Sequence, residues 1–180
     1  TAPYEMNALR RASIGDMLMR TAARYPHKPA FVFRGQRISF QAFNERVNRC
    51  AYGLMELGVE RGDRAAILSH NCEQFLTFWW ALMKLGAIIT PLNFMLKADE
   101  IRYIVTHSAP KVFFVEDSLV KGVLEIKDSL TSVQHFGYIN LSSVEPPAAW
   151  LNIETLWDRG YPGDEPEVEI NADDPATLLY

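Results

Sequence analysis

Apolar positions along the 180-residue chain alternate between helical spacing and short continuous runs. Ile14, Leu18 and Ala22 repeat every four residues and predict a helix over 13–24, stopped by Pro26. Ala30-Phe31-Val32-Phe33-Arg34 and Arg37-Ile38-Ser39-Phe40 flank the pair Gly35-Gln36, which predicts a hairpin with a type II′ loop. Ser39 is placed to cap a long helix. Its apolar stripe is Phe43, Val47, Cys50, Ala51, Leu54 and Leu57, with Asn44, Arg46, Asn48 and Arg49 facing out and Gly58 at its end. Arg61-Gly62-Asp63 turns the chain into a buried strand over 64–68. Asn71 can cap the next helix, which turns Phe75, Phe78, Trp79 and Leu82 inward and ends at Gly86 before a strand over 87–90. Strand, helix and strand at this spacing form a βαβ unit with parallel strands and a right-handed crossover.

The alternation repeats. A helix over 97–108 uses Ile101, Ile104 and Val105, and a strand follows over 111–115. Asp117 can cap a helix reaching Leu130, and 135–139 forms another strand. The fold class is therefore α/β: a parallel-rich sheet flanked by helices, with an N-terminal β-hairpin. From Asn140 the character changes, and 140–172 reads as a loop-rich connection. Pro146-Pro147 and Tyr161-Pro162-Gly163-Asp164-Glu165-Pro166 punctuate it, Leu151 to Trp157 is a short helix, and the acidic run 164–169 is a solvated link. Asp173-Asp174-Pro175 then leads into a strand from Ala176 to Tyr180 that has neither partner nor continuation. The loop after such a strand is where α/β sheets bind ligands, so the chemistry is expected past Tyr180. Thr1 in place of an initiating Met suggests that the front is trimmed as well.

Composition narrows the field. Hydrophobic content of 48% and charged content of 22% are ordinary globular values. Net charge is −4. No basic stripe interleaves with aromatics, which argues against nucleic acid as a partner. The richest apolar stretch, Phe75 to Pro91, is broken by Lys84 and Gly86, so no transmembrane segment is expected. Cys50 and Cys72 fall in predicted helices. Buried thiols in a reducing, cytoplasmic setting are the simpler reading, and a Cys50–Cys72 disulfide is the alternative.

The motifs of several enzyme classes are absent: Gly-x-Gly-x-x-Gly, Gly-x-x-x-x-Gly-Lys-Ser/Thr, Gly-x-Ser-x-Gly, Cys-x-x-Cys and His-x-x-x-His. His27, His70, His107 and His135 are scattered, so metal binding has no support. Ser69-His70-Asn71-Cys72 follows a predicted parallel strand. One reading makes His70 or Asn71 a ligand contact; the simpler one makes Asn71 a helix cap and His70 an exposed loop residue. A Cys72–His70 nucleophile pair is weaker, since chain neighbours rarely have that geometry. Phe75, Phe78 and Trp79 read as core, and Trp80 falls off their stripe and can cover another element or a partner. Asp99-Glu100 and Asp173-Asp174 read as starts of secondary elements rather than acid–base pairs.

Taken in order, these segments resemble the N-terminal region of the adenylate-forming (AMP-binding) acyl-CoA synthetases, a family that includes luciferases and peptide-synthetase adenylation domains. The resemblance rests on Ile38 to Phe43 with Asn48 and Ala51, on Leu57 to Ala66, on Ala81 to Asn93, on Glu100-Ile101 through Val115, and on Asp173 to Tyr180. It covers nearly the whole chain and weakens between Gly122 and Ile170. Asn93-Phe94-Met95-Leu96 before Glu100-Ile101 looks more like the fatty acyl and aryl CoA ligases. The resemblance implies a partial N-terminal domain over 1–180, within the large N-terminal domain of the synthetase/luciferase-like fold, that stops before the Thr/Ser/Gly-rich phosphate loop. It implies that the intact enzyme uses ATP, Mg²⁺ and coenzyme A on a carboxylic, fatty-type acid, and that the fragment alone is inactive and binds none of them tightly. No catalytic, cofactor-binding or metal residue is assigned, and Lys84 and Lys111 match helix-end and strand-start positions rather than the family's catalytic lysine. The rival readings are a stand-alone doubly wound small-molecule binding module, and an interaction module, for instance a homodimer, that uses Trp80 and the exposed sheet edge.

Overall fold

The computed structural model describes residues 13–180, so Thr1 lies outside the described residues. Helix α1 (Ile14–Arg24) starts at a reciprocal capping box. The Ser13 hydroxyl accepts from the Asp16 amide, and the Asp16 carboxylate accepts from the Ser13 amide at 3.0 Å. Strands β1 (Pro29–Phe33) and β2 (Gln36–Ser39) form the expected hairpin, but Phe33 pairs with Gln36, so the loop is Arg34-Gly35. Both loop residues have positive φ, +48° and +80°. That makes the turn type I′ rather than II′, the form whose twist matches the flanking strands.

Helix α2 (Phe40–Glu56) is capped by the Ser39 hydroxyl, and Gly58 follows it in the left-handed region at φ +75°. Its stripe is buried as predicted, with one exception on the polar side. Asn48 is 1% exposed, because residues from the far end of the chain cover that face. Strand β3 (Arg64–Leu68), helix α3 (Glu73–Leu85) and strand β4 (Ile88–Leu92) make the parallel βαβ unit, and Gly86 ends α3 at φ +63°. The α3 cap is Cys72 rather than Asn71. The Cys72 Sγ accepts from the Phe75 amide, and Asn71 stays outside the helix and exposed. Helix α4 (Ala98–Ser108) and strand β5 (Val112–Glu116) follow as expected.

The single helix expected over 117–130 is broken. A 3₁₀ turn at Asp117–Leu119, a five-residue helix α5 (Val120–Leu124) and a second 3₁₀ turn at Lys127–Ser129 take its place. Asp117 does not cap it. Its carboxylate accepts from the amides of Ser142 and Val144 and from that of Ser118. With no cap and with Gly122 inside, the segment loses the local support that a longer helix needs. Strand β6 (His135–Ile139) matches its expectation. The short helix expected over 151–157 divides into strand β7 (Leu151–Asn152) and helix α6 (Thr155–Asp158).

The main sheet runs β4–β3–β5–β6–β7, all parallel. The terminal segment has a partner after all. Thr177 makes a parallel bridge to Ile89 on the outer edge of β4. Side chains alternate along the strands, so two cores form. Ala65, Ile67, Ile89, Val112 and Phe114 pack under α2 and α3, whereas Ala66, Leu68, Leu92, Phe113 and Val115 pack under α4 and α5. Phe114 meets Phe78 edge to face at 5.2 Å between centroids. It can do so because residue 137 on β6 is glycine; a Cβ there would lie 2.1 Å from the Phe114 ring. Among the described residues no helix is long and apolar enough to cross a membrane.

Candidate functional site

The chain leaves β3 through α3 on one face of the sheet to reach β4. From β4 it returns through α4 on the other face to reach β5, on the opposite side of β3. The carboxyl ends of β3 and β5 are therefore a topological switch point, the place where doubly wound sheets bind ligands. Here Ser69-His70 after β3 meets Glu116 at the end of β5. Glu116 Oε2 accepts from the His70 amide at 2.8 Å and from the Ser69 hydroxyl at 3.3 Å, and it lies 2.8 Å from His70 Nδ1. Glu116 Oε1 accepts from the Ser118 hydroxyl at 2.6 Å. The His70 ring stacks on Phe94, past the end of β4, at 3.9 Å between centroids. One carboxylate thus ties together the ends of three strands.

The Glu116 side chain is 4% exposed. Burial pushes its carboxyl up, but the Ser118 hydroxyl and the His70 amide and ring together outweigh burial and hold it below the usual carboxylate range. An ionised carboxylate at the switch point repels phosphate, and both of its oxygens are already engaged. No glycine lies in the segments that leave β3, β4, β5 and β6 at residues 69–72, 93–97, 117–119 and 140–144, so none of these loops offers the glycine-rich amide cradle that a triphosphate needs. Glu116 thus occupies the carboxyl ends of β3 and β5 with contacts of its own. Among the described residues no group of three or more His, Cys, Asp and Glu could hold a metal ion.

The other candidates resolve in the same direction. The Cys72 sulfur accepts from the Phe75 amide and lies 3.7 Å from the Ser69 hydroxyl rather than against the His70 ring, so no Cys72–His70 nucleophile pair forms. Burial raises the Cys72 thiol against the hydrogen bonds it accepts, and burial raises the Cys50 thiol strongly, so neither is a thiolate at neutral pH. Both cysteines are free. Trp80 packs against Trp79 at 5.1 Å and lies partly buried on the core. Asp99 pairs with Arg102, and Glu100 accepts from the Lys97 amide at the start of α4. Of the four residues in the two acidic pairs, the three with described partners, Asp99, Glu100 and Asp174, which binds Arg61, serve structure.

Three residues that the sequence reading missed organise the far end of the chain. Lys84, at the end of α3, is 4% exposed. Its ammonium donates to Asn44 Oδ1 at 2.7 Å and to Glu165 Oε2 at 2.5 Å. Asn48 Nδ2 donates to the Gly163 carbonyl at 2.7 Å, and Asn44 Nδ2 donates to Glu165 Oε1 at 2.7 Å. The acidic run at 164–169 is thus docked through Glu165, not wholly solvated. A lone cation inside the apolar stretch 75–91 was the available signal, since a buried lysine requires a partner.

Residues 18–180 match the profile of the AMP-binding enzyme family. The chain is 29% identical over 175 residues to a long-chain-fatty-acid–CoA ligase of Mycobacterium tuberculosis and 26% identical over 167 residues to an indoleacetate–CoA ligase of Aromatoleum aromaticum. Each alignment covers 93% of this chain and 32% of the relative, so the chain spans about a third of the length of the curated proteins it matches. The crystal structure of a Mycobacterium tuberculosis fatty acyl CoA synthetase superposes with a TM-score of 0.81 at 30% identity, over 93% of this chain and 32% of that one. An anthranilate CoA ligase superposes at 0.85 with 23% identity, over 93% of this chain and 32% of that one, which speaks for the fold alone. The family match over residues 18–180 and the agreement with these relatives along nearly the whole described sequence show that the chain belongs to the AMP-binding, adenylate-forming enzyme family.

Proposed function

We propose that residues 1–180 are the amino-terminal scaffold of an AMP-forming acid–CoA ligase that acts on a fatty or related carboxylic acid. The single observation that carries this reading is the family match over 18–180 combined with the 32% share of the relatives' length. In the proposed reaction a carboxylate oxygen attacks the α-phosphorus of ATP and the bond to pyrophosphate breaks, leaving an acyl-adenylate. The thiol of coenzyme A then attacks the acyl carbon and loses its proton. AMP departs with the electron pair of the cleaved C–O bond. Catalysis of such steps rests on positioning and on charge stabilisation at the phosphates. This segment contributes a rigid sheet; the phosphate-binding loop and the catalytic groups belong to the sequence expected after Tyr180. The free thiols Cys50 and Cys72 support a reducing, cytoplasmic setting.

The test is an assay of the full-length parent with ATP, coenzyme A and a panel of straight-chain and aryl acids. Acid-dependent release of AMP and pyrophosphate with formation of a thioester is the expected result, with fatty acids preferred. Absence of acid-dependent AMP formation across the panel overturns the reading. Residues 1–180 alone are expected to give no ATP–pyrophosphate exchange, and clear turnover by them refutes the scaffold role.

A further inference from the structure

The segment that follows the last docked acidic residues is held in an unusual way. Residues 176–178 pair with β4 through one bridge and two backbone bonds: Ile89 N–H to the Ala176 carbonyl at 3.1 Å and Leu178 N–H to the Ile89 carbonyl at 2.9 Å. By contrast, β3 and β4 align over five residue pairs. Strand register is set where one face is buried, and a slip of one residue moves the chain by about 3.3 Å and reverses every side chain. Thr177 and Leu179 are exposed, whereas Ala176 and Leu178 are only partly buried, so a shallow, half-buried face contributes little to the register of this segment.

Its register is also held from outside the strand: downstream the exposed Tyr180 hydroxyl bonds His107 Nδ1 on α4 at 2.5 Å, and upstream a series of contacts leads up to it. Glu165 is clamped by Lys84 and Asn44. Ile170 is buried over Gly86, where an added Cβ would come within 3.3 Å of it. Between these contacts and Ala176 the chain spans a small cavity lined by Met83, Gly86, Ala87 and Pro175, so it bridges rather than packs continuously. The last upstream anchor lies two residues before Ala176. Arg61 Nε donates to Asp174 Oδ2 and Arg61 Nη2 to Asp174 Oδ1, both at 2.7 Å. Asp174 Oδ2 also accepts from the Asn171 amide. Arg61 itself sits in the turn that opens β3, and that turn is bonded to β4: Gly62 N–H donates to the Gly86 carbonyl, and Ile88 N–H donates to the Asp63 carbonyl. A two-pronged guanidinium–carboxylate contact restricts translation and rotation together.

We propose that 163–174 is a strap that positions the edge segment 176–178 against β4, with Arg61 and Asp174 as its positioning pair. Ligands of parallel sheets bind beyond the carboxyl ends of the strands. The register of this segment therefore sets where the chain after it emerges relative to the bound substrate. This inference rests on the ligase reading above, and Arg61 and Asp174 act through the strand rather than by touching substrate.

The test uses the full-length parent and three variants: Arg61→Gln, Asp174→Asn, and the exchanged pair Arg61→Asp with Asp174→Arg. Each single variant is expected to speed amide exchange at Leu178 about fivefold while leaving Ala66 and Phe114 in the sheet centre unchanged. KM for ATP is expected to rise by about the same factor, with kcat altered less than twofold, and the exchanged pair should recover both readouts. Unchanged exchange at Leu178 overturns the proposal, as does faster exchange throughout the sheet or an unaltered KM in an active enzyme. Should the unmodified parent form no AMP from any acid, the ligase reading falls, and the exchange measurement still decides the strap.

Discussion

The centre of the sheet and the strap over 163–174, with the edge segment that follows it, are ordered by different forces. β3 and β5 carry apolar side chains on both faces, bond to neighbours on both edges, and bury Ile67, Phe113 and Phe114 completely. The strap and its edge segment have no ladder of their own beyond a single bridge, and the strap is held by Glu165 on Lys84, by Ile170, and by Asp174 on Arg61. Area-proportional burial holds the centre, and it tolerates exchange of one apolar residue for another of like volume. A few polar contacts hold the strap, and each depends on geometry. The difference teaches that order in this molecule does not require regular structure. It requires either a continuous apolar interface or a small set of charged partners that cannot be satisfied elsewhere.

The largest expected effect lies in the centre. Phe114→Ala removes a fully buried ring that meets Phe78, and it should lower stability by about 3–5 kcal/mol in urea unfolding. A loss under about 1 kcal/mol would mean that the centre is not the better-packed region. Next is Gly53→Ala, where α2 and α6 touch. The new Cβ would lie 2.4 Å from the Leu156 carbonyl oxygen and 2.8 Å from Leu156 Cα, both backbone atoms. Helix propensity favours alanine, but the clash should dominate and cost up to about 3 kcal/mol, with protection lost at α6 in hydrogen exchange.

Breaking the strap should be milder and more local. Glu165→Gln removes the negative charge that the buried Lys84 ammonium faces. Because Glu165 is 30% exposed, the loss should be about 2 kcal/mol rather than that of a fully buried pair. Limited proteolysis should then cut within 160–174 before the sheet is touched; simultaneous cleavage of β3 would refute the contrast. Lys84→Met, which removes the charge itself, should cost less than Glu165→Gln.

The smallest effect concerns Asp117. Burial pushes its carboxyl up, but the amides of Ser142, Val144, Leu141 and Ser118 outweigh burial and hold it below the usual range. A carboxyl lowered in the folded state stabilises the protein fully above its unfolded value of about 3.9 and loses that contribution as pH falls through the lower folded value. Asp117→Asn should therefore cost about 1 kcal/mol at pH 7, and the gap between variant and parent should narrow below about pH 4. A gap that stays constant across that range would show that the charge is irrelevant to the loop at 142–144.

Much of the fold was legible because its signals are local. The bounds of β3 and β6 agree with the alternation of apolar runs, and Ser39, Gly58 and Gly86 mark helix ends by side-chain capping and positive φ, properties of single residues. The misreadings share a cause. Asp117 has the identity of a cap but spends its carboxylate on amides about 25 residues away. Asn71 has the identity of a cap but is displaced by Cys72, whose neighbour His70 is drawn to Glu116. Asn48 lies on a polar stripe yet is covered by Gly163 and Glu165. For Asp117 and Asn48 a distant group competes for the same donor or acceptor, and no window of sequence contains both. The occupied switch point was illegible for the same reason, since Glu116 looks like an ordinary polar end to an apolar run.

By itself the amino-acid sequence determined the α/β class and the order of its strands and helices along the chain, because periodicity, caps and turns act over a few residues, while its likeness to the AMP-binding enzymes rests on the matching segments between Ile38 and Tyr180. Only the tertiary structure decided that Glu116 occupies the switch point, that Lys84 is buried against Glu165, and that Asp174 reaches Arg61. Those partners stand 46, 81 and 113 residues apart, and what brings them together is burial of the sheet's two faces, a property of the whole chain.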